Sequence, residues 1–364
     1  MSFAIRGLGT AVPPHTMSQQ EATELAQQVI CRSEQQSRLL SVLYRKAGVE
    51  NRYTALPHRI ALDWLPPPSV APEAEARPVT LGPTTAERMQ FFAEHAPPLA
   101  EKAARQALED AQLDPREITH LVTVSCTGFG APGMDTSLMT ALEMRPTTER
   151  IQVGFMGCHG AINGLRVVQA LTAADRAARV LLCAVELCSL HYRFQWDQER
   201  IIANALFSDG AAALVAGGPA QTEEAWSVAA TGSCLLPDSQ DAMTWRIGDH
   251  GFEMTLGAGV PALIGQHLRP WLTRWLAGHG HSIESIGSWA IHPGGPRILS
   301  AIEESLRLPP DATAISREVL AGYGNMSSPT VLFIIKRLRE RKSPLPCVAL
   351  GFGPGMFAEA ALLT

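Results

Sequence analysis

The chain has 364 residues, more than the roughly 100–200 of one ordinary domain, so two domains or one body of two similar halves is expected. Hydrophobic residues make up 46% and charged residues 18%, a balance that excludes disorder and provides for a sizeable core. With 30 Lys and Arg against 35 Asp and Glu, the net charge of −5 gives no global field for nucleic acid or an anionic membrane; an anionic ligand has to be met by a local basic cluster.

The opening segment MSFAIRGLGTAVPP lacks a tripartite secretory pattern, and the longest apolar stretch, RVLLCAVELCSL, is broken by Glu186 and too short to span a bilayer. A cytoplasmic protein is expected. The seven cysteines (31, 126, 158, 183, 188, 234 and 347) are odd in number and scattered, with no C-x-x-C pair, which disfavours a disulfide framework and a zinc site. His279 and His281 are too close and too glycine-flanked for a metal pair. Neither a metal nor a cofactor is expected.

FAIRGLGTAV reads as a strand entering a proline turn, and Ser18 with Glu21 forms a capping box that opens the next helix. Segment 64–83 is proline-rich and aperiodic, a surface loop. Thr84 and Glu87 supply a second capping box for a helix to about residue 112, which Pro97 and Pro98 are expected to kink or split. ITHLVTVSCTG is a β-rich run ending in a glycine turn. Strand RIQVGFM, turn GCHG, helix AINGLRVVQALTAADR and strand RVLLCAVELC follow, then AAALVAG after the turn FSDG. That alternation predicts an α/β sandwich on mixed or parallel sheets. The looser QTEEA, from about residue 222, divides the chain into 1–221 and 222–364.

The second half replays the first. VPALIGQHLRPWLTRWLAGHG is a long helical segment, SWAIHPGG a strand into a glycine turn, GNMSSPTVLFIIKRLRERK a turn then helix, and CVALGFGPG the returning strand. Cys126 to Cys158 spans 158 − 126 = 32 residues, and His292 to Asn325 spans 325 − 292 = 33. The matched spacing predicts a duplicated unit whose strand ends and helix starts converge on one site. The basic run KRLRERK reads as the solvated end of a helix whose dipole favours positive charge.

Cys158 lies where a strand turns into a helix between two glycines, a place where free N–H groups and the helix dipole favour thiolate. His292 ends a strand and faces a Gly-Gly turn, where imidazole can activate a thiol and donate to a thioester carbonyl. Asn325 lies in a turn before a helix, as a cap or an oxyanion donor. Singly, these are a core thiol, a structural histidine and a turn asparagine. Their matched positions in two halves point to chemistry.

VGFMGCHGAINGL, LFSDGAAALV, AIHPGGPRIL, YGNMSSPTVLF and GFGPG occur in the order seen in type III polyketide synthases, and the chain resembles that chalcone-synthase-like family, its bacterial members above all, along essentially its whole length. The resemblance implies a thiolase-like duplicated αβαβα five-layer sandwich, a homodimer, and a Cys-His-Asn triad on Cys158, His292 and Asn325. It implies a gatekeeping role for Phe207, a cavity-lining position for Ser327, and a cyclisation-pocket loop at Gly351, Phe352, Gly353, Pro354 and Gly355. The latter loop reads by itself only as a tight turn needing positive φ. Met254 stands where plant members have a second phenylalanine and Cys126 where they have threonine, softer walls that suit a flexible acyl chain. Coenzyme A thioesters are the implied substrates, an acyl-CoA starter and malonyl-CoA, with Arg45, Lys46, Arg52 and Arg297 as the implied phosphate-binding cations. The expected reaction is decarboxylative condensation of a fatty acyl starter, giving alkylpyrones or alkylresorcinols. The rival readings are a β-ketoacyl synthase of the initiating type, which condenses once, and an idle relative that only binds acyl thioesters.

Overall fold

The computed structural model describes residues 2–65, 81–217 and 226–364. Most of the expected proline-rich loop and the boundary at 221/222 lie outside the described residues. The first half contains β1 (Phe3–Ala11), β2 (His15–Ser18), α1 (Gln19–Ile30), α2 (Glu34–Lys46), β3 (Asn51–Thr54), α3 (Ile60–Asp63) and α4 (Thr85–Ala111). It continues with β4 (His120–Ser125), α5 (Met134–Ala141), β5 (Glu149–Gly154), α6 (Gly160–Ala174), β6 (Arg179–Leu187), α7 (Gln198–Leu206) and β7 (Asp209–Gly217). The second half contains β8 (Ser227–Leu235), β9 (Met243–Gly248), β10 (Gly251–Leu256), α8 (Val260–Ala277), β11 (Ser288–Ile291), α9 (Pro296–Leu306), α10 (Ala314–Tyr323), α11 (Thr330–Glu340), β12 (Cys347–Gly353) and β13 (Phe357–Leu363).

Nine strands run in the order β11-β12-β13-β8-β1-β7-β6-β4-β5. The two half-sheets meet along β1 and β8, where Phe3 pairs with Val228 and Ala4 with Ser227. Strand β6 shows why the layers stack as they do. Val180, Leu182 and Ala184 face α6 and α11 in the central core, whereas Leu181, Cys183 and Val185 face α4 on the outside. A strand buried on both faces reads as an unbroken apolar run, as RVLLCAVELC does. In the second half β12 and β13 repeat this, sending Val348, Leu350, Ala358, Ala360 and Leu362 to the core shared with α8 and α9. The five layers are therefore α4, the first half-sheet, α6 with α11, the second half-sheet, and α8 with α9, the thiolase-like sandwich expected from the sequence.

Both capping boxes form, Ser18 with Glu21 at α1 and Thr84 with Glu87 at α4. Helix α4 is not split at Pro97 and Pro98; it is continuous over 27 residues. Its alanine face is fully buried at Ala100, Ala103, Ala104 and Ala107, and this packing outweighs the backbone bonds that the prolines remove. The approach to β1 is close enough that a Cβ on Gly7 would lie 2.1 Å from the Ala107 carbonyl, and one on Gly9 2.1 Å from that of Ala103. The KRLRERK run closes α11 at the surface, with Arg339 paired to Asp110 at 3.0 Å and Arg341 to Glu318 at 2.6 Å. Among the described residues no helix is long and apolar enough to cross a membrane.

Because the opposing atoms at Gly9 are backbone and have nowhere to go, Gly9→Ala is expected to cost about 1–3 kcal/mol. Denaturant unfolding should show a lowered midpoint at unchanged slope; an unchanged midpoint shows that α4 slides freely on β1.

Candidate active site

Cys158 sits in the turn Gly157–His159, directly before α6, and is buried. Gly157 has φ +78°, and a Cβ there would meet Pro354 Cδ at 2.4 Å, so the cysteine turn and the GFGPG segment are interlocked. Gly351 and Gly353 belong to strand β12, not to a positive-φ turn; only Gly355, at φ +120°, takes that conformation. Their smallness serves packing, because a Cβ on Gly353 would meet the His159 ring at 2.5 Å and one on Gly351 the His159 Cβ at 3.2 Å.

The matched spacings of the two halves do converge. Asn325 is tied to the first half by its N–H donating to the Leu206 carbonyl and its carbonyl accepting from Ser208 N–H, each at 2.9 Å, beside a bridge to Phe207. Its Oδ1 accepts the Ser327 N–H at 2.8 Å, which fixes the amide and leaves its NH2 end for the thiol. His292 follows β11, and among the described residues neither of its buried ring nitrogens has a hydrogen-bond partner. Cys158, His292 and Asn325 line one cavity of about 480 Å³ together with Phe207, Met254 and Phe352. Phe155 and Ser327, non-glycine residues at φ 59° and 57°, flank the two turns, so each half holds backbone strain beside the site.

A larger cavity of about 1250 Å³, counting its open mouth, begins at Cys158, Cys126, Ser327 and Pro354 and reaches Met17, Leu25, Ile60 and Trp64. Phe207 and Met254 border both spaces. One wall is the hairpin β9–β10, which no local sequence signal marks and on which Trp245 donates its indole N–H to the Cys126 carbonyl at 2.7 Å. His191 was equally hidden. Its Nε2 bonds the Thr127 carbonyl at 2.7 Å and its Nδ1 accepts the Phe252 N–H at 2.9 Å, with the ring stacked 4.2 Å from that of Phe252. Glu186, noticed only as a break in an apolar run, is fully buried beside Cys126. An acid inside a strand buried on both faces is the signal that marks it.

Arg52 does not fit a phosphate-binding role. It is buried, and its guanidinium donates to the carbonyls of Asn204 at 2.5 Å, Ala205 at 2.7 Å and Phe207 at 3.4 Å, and to Gln19 Oε1. It is the cation at the C-terminal end of α7. Arg45 and Lys46, at the end of α2, and Arg297, in the first turn of α9, are exposed and border neither cavity.

Residues 2–219 match the family model of chalcone and stilbene synthases, N-terminal domain, and residues 227–364 that of the C-terminal domain. The chain is 36% identical to a 1,3,6,8-tetrahydroxynaphthalene synthase of Streptomyces peucetius subsp. caesius, covering 99% of this chain and 92% of the relative. It is 31% identical to the alpha-pyrone synthesis polyketide synthase-like Pks18 of Mycobacterium tuberculosis, over 98% of this chain and 90% of that one. Among solved structures, PKS-I of the brown alga Ectocarpus siliculosus superposes with a TM-score of 0.90 at 29% identity, covering 99% of this chain and 97% of that one.

The electrostatics correct one expectation from the sequence. The helix start does not by itself make Cys158 acidic: burial pushes its thiol up to about 11, against the pull of hydrogen bonds from Ser327 and Asn325. Burial likewise pushes His292 down to about 3, with His159 adding to the effect. Either charge alone is costly in this enclosed space, whereas a proton passed from thiol to imidazole creates two opposite charges that stabilise each other. A thiolate of Cys158 paired with a His292 imidazolium is therefore the form to test. His292→Gln should slow alkylation of Cys158 by iodoacetamide at neutral pH at least roughly tenfold and move its pH profile to the alkaline side. An unchanged profile rules out the imidazole as counter-ion.

Proposed function

As the chain belongs to the chalcone and stilbene synthase family and is a type III polyketide synthase, an acyltransferase of decarboxylating condensation, we propose that it loads a fatty acyl group from coenzyme A onto Cys158 and extends it with malonyl-CoA. The observation that carries this reading is the meeting of Cys158, His292 and Asn325, from both halves, on the wall of one cavity, with the imidazole nitrogens unpartnered among the described residues. His292 takes the thiol proton, and the thiolate attacks the starter thioester, expelling coenzyme A. Loss of carbon dioxide from malonyl-CoA then places negative charge on the thioester oxygen. The amide of Asn325 and the protonated His292 donate to that oxygen. The resulting carbanion attacks the acyl group on Cys158 and returns the thiol.

A long aliphatic starter is supported by the walls of the larger cavity, which are mostly apolar at Met17, Leu25, Ile60, Trp64, Met243 and Met254. Alkylpyrones or alkylresorcinols are the corresponding products. Arg45, Lys46 and Arg297 remain the proposed cations for the coenzyme phosphates, being exposed and, among the described residues, without a carboxylate in an ion pair. A second copy of the chain is the proposed partner, supported by the exposed Phe129, Ile151, Phe155 and Met156 beside edge strand β5. Incubation with a panel of acyl-CoAs and malonyl-CoA, read by product mass, tests the reading; a single extension of every starter favours the initiating ketoacyl synthase instead.

The triad divides by step. Cys158→Ala should still release acetyl-CoA from malonyl-CoA while accepting no radiolabelled starter. Asn325→Ala should keep some loading and lose decarboxylation by about 10²-fold, the scale of one oxyanion donor. If Cys158→Ala loses decarboxylation as completely, the three residues act as one unit.

Met254 tests chain length more cleanly than Cys126, whose thiol accepts the Gly157 N–H at 3.0 Å and so supports the nucleophile turn. Met254→Phe should shift the ratio of long-chain to short-chain kcat/KM by about tenfold toward short starters. An unchanged ratio means that the acyl chain does not pass this side chain.

A further inference from the structure

Much of the polar lining of the larger cavity is bonded within the protein. Thr54 donates its hydroxyl to the Leu56 carbonyl at 2.7 Å and Ser189 to the Asp209 carboxylate at 2.6 Å, while the Asn204 amide exchanges bonds of 3.1 and 2.9 Å with the Arg193 backbone. One group of lining residues differs. The hydroxyls of Tyr44, on α2, and Tyr192, just after His191, and the Nε of Arg52, on β3, are buried without a hydrogen-bond partner among the described residues. Tyr44 is 1% exposed and Arg52 4%. The Arg52 guanidinium lies 5.8 Å from the centre of the Tyr44 ring. The two phenol groups stand close to each other, but the geometry between them falls short of a hydrogen bond. Even a bond from Tyr192 to Tyr44 leaves the Tyr44 proton and the Arg52 Nε–H without an acceptor.

Burying a hydroxyl or an N–H with nothing to accept from it destabilises a fold, so three such donors in one place call for a partner from outside. Burial raises both phenols above their ordinary range, so each keeps its proton to donate, and a guanidinium stays charged. The terminal nitrogens of Arg52 are held by carbonyls and by Gln19, which leaves Nε as its open donor. Donors beside a positive charge fit an oxygen acceptor, which a plain hydrocarbon end does not supply. None of the three residues borders the smaller cavity that holds the triad, and both tyrosines pack in one cluster with Met17, Leu25 and Trp64. We propose that Tyr44, Tyr192 and Arg52 form a subsite for an oxygen at the far end of the starter: the apolar walls take the body of an acyl chain whose terminus carries a hydroxyl or a carboxylate. This deepens the function proposed above and rests on the larger cavity being the acyl site.

Three series of acyl-CoAs matched in chain length test the subsite: unsubstituted, ω-hydroxylated and ω-carboxylated. All share one coenzyme, so any effect on coenzyme binding cancels in ratios of kcat/KM. At the length that brings the terminus to the tyrosines, an oxygenated starter should be preferred to its plain counterpart by roughly tenfold or more, and the series that gives the preference tells hydroxyl from carboxylate. Tyr44→Phe and Tyr192→Phe each remove one donor and keep the ring, so each should lower the ratio at that length and leave the ratios at shorter lengths in place. A merely structural defect lowers kcat/KM for all starters alike and moves no ratio. Equal or poorer use of oxygenated starters at every length by the wild-type enzyme overturns the inference, whether or not the variants fold, and means that solvent completes the three donors. Ratios unchanged in both variants overturn it as well. If intact-protein mass shows no starter of any series on Cys158, the proposed function itself fails, and the subsite with it.

Discussion

Two backbone hydrogen bonds hold the rest of this architecture to its purpose. Asn325 N–H to Leu206 and Ser208 N–H to Asn325, each 2.9 Å, stitch a turn of the second half to the end of a helix in the first. They add to a seam where the half-sheets meet along β1 and β8 and share the middle layer of α6 and α11. With them, a strand end from one half and a helix start from the other stand in a fixed relation, and the smallest residues fill the remaining distance. The backbone at Gly157 rests on Pro354, and Gly353 lies under the His159 ring. Interlocking of this kind cannot adjust gradually, since each contact is between backbone and a rigid ring.

Much of this frame is legible in the letters, because it is made by local rules. The capping boxes at Ser18 and Thr84 act within four residues, and β6 announces burial on both faces by an unbroken apolar run. The parallel spacing of Cys126 to Cys158 and His292 to Asn325 survives because duplication keeps the lengths of strand, turn and helix even when side chains diverge. What escaped depends on distant partners. The hairpin β9–β10 has no strong turn signature, Asp249 and His250 standing between its strands, and it is held by bonds that Trp245 and His191 make to residues far away in sequence. The resemblance made Arg52 a cation for phosphate, and only contact with the end of α7 reveals that both terminal nitrogens of its guanidinium are committed to acceptors within the protein. Pro97 and Pro98 looked like a helix break because propensity does not see the alanine face packed on β1.

The thiol and the imidazole illustrate the same division. A helix start beside a glycine is a local feature that favours thiolate, yet burial is a property of the whole fold and reverses the sign for each group taken alone. The two residues stand 292 − 158 = 134 positions apart, so the pairing on which the proposed reactivity depends is visible only in the fold. Burial likewise raises the pKa of Glu186, a carboxyl inside strand β6 that the Ser328 hydroxyl of the second half reaches at 2.6 Å.

The hairpin has one more consequence. Every element that touches the nucleophile is pinned by backbone or by glycine contacts, whereas the cavity wall carrying Trp245, Phe252 and Met254 is an excursion between β8 and α8, paired only with itself as a two-stranded sheet. A substitution at Met254 or Phe252 therefore reshapes the space open to a bound chain while the turns that carry Cys158 and Asn325 keep their backbone ties.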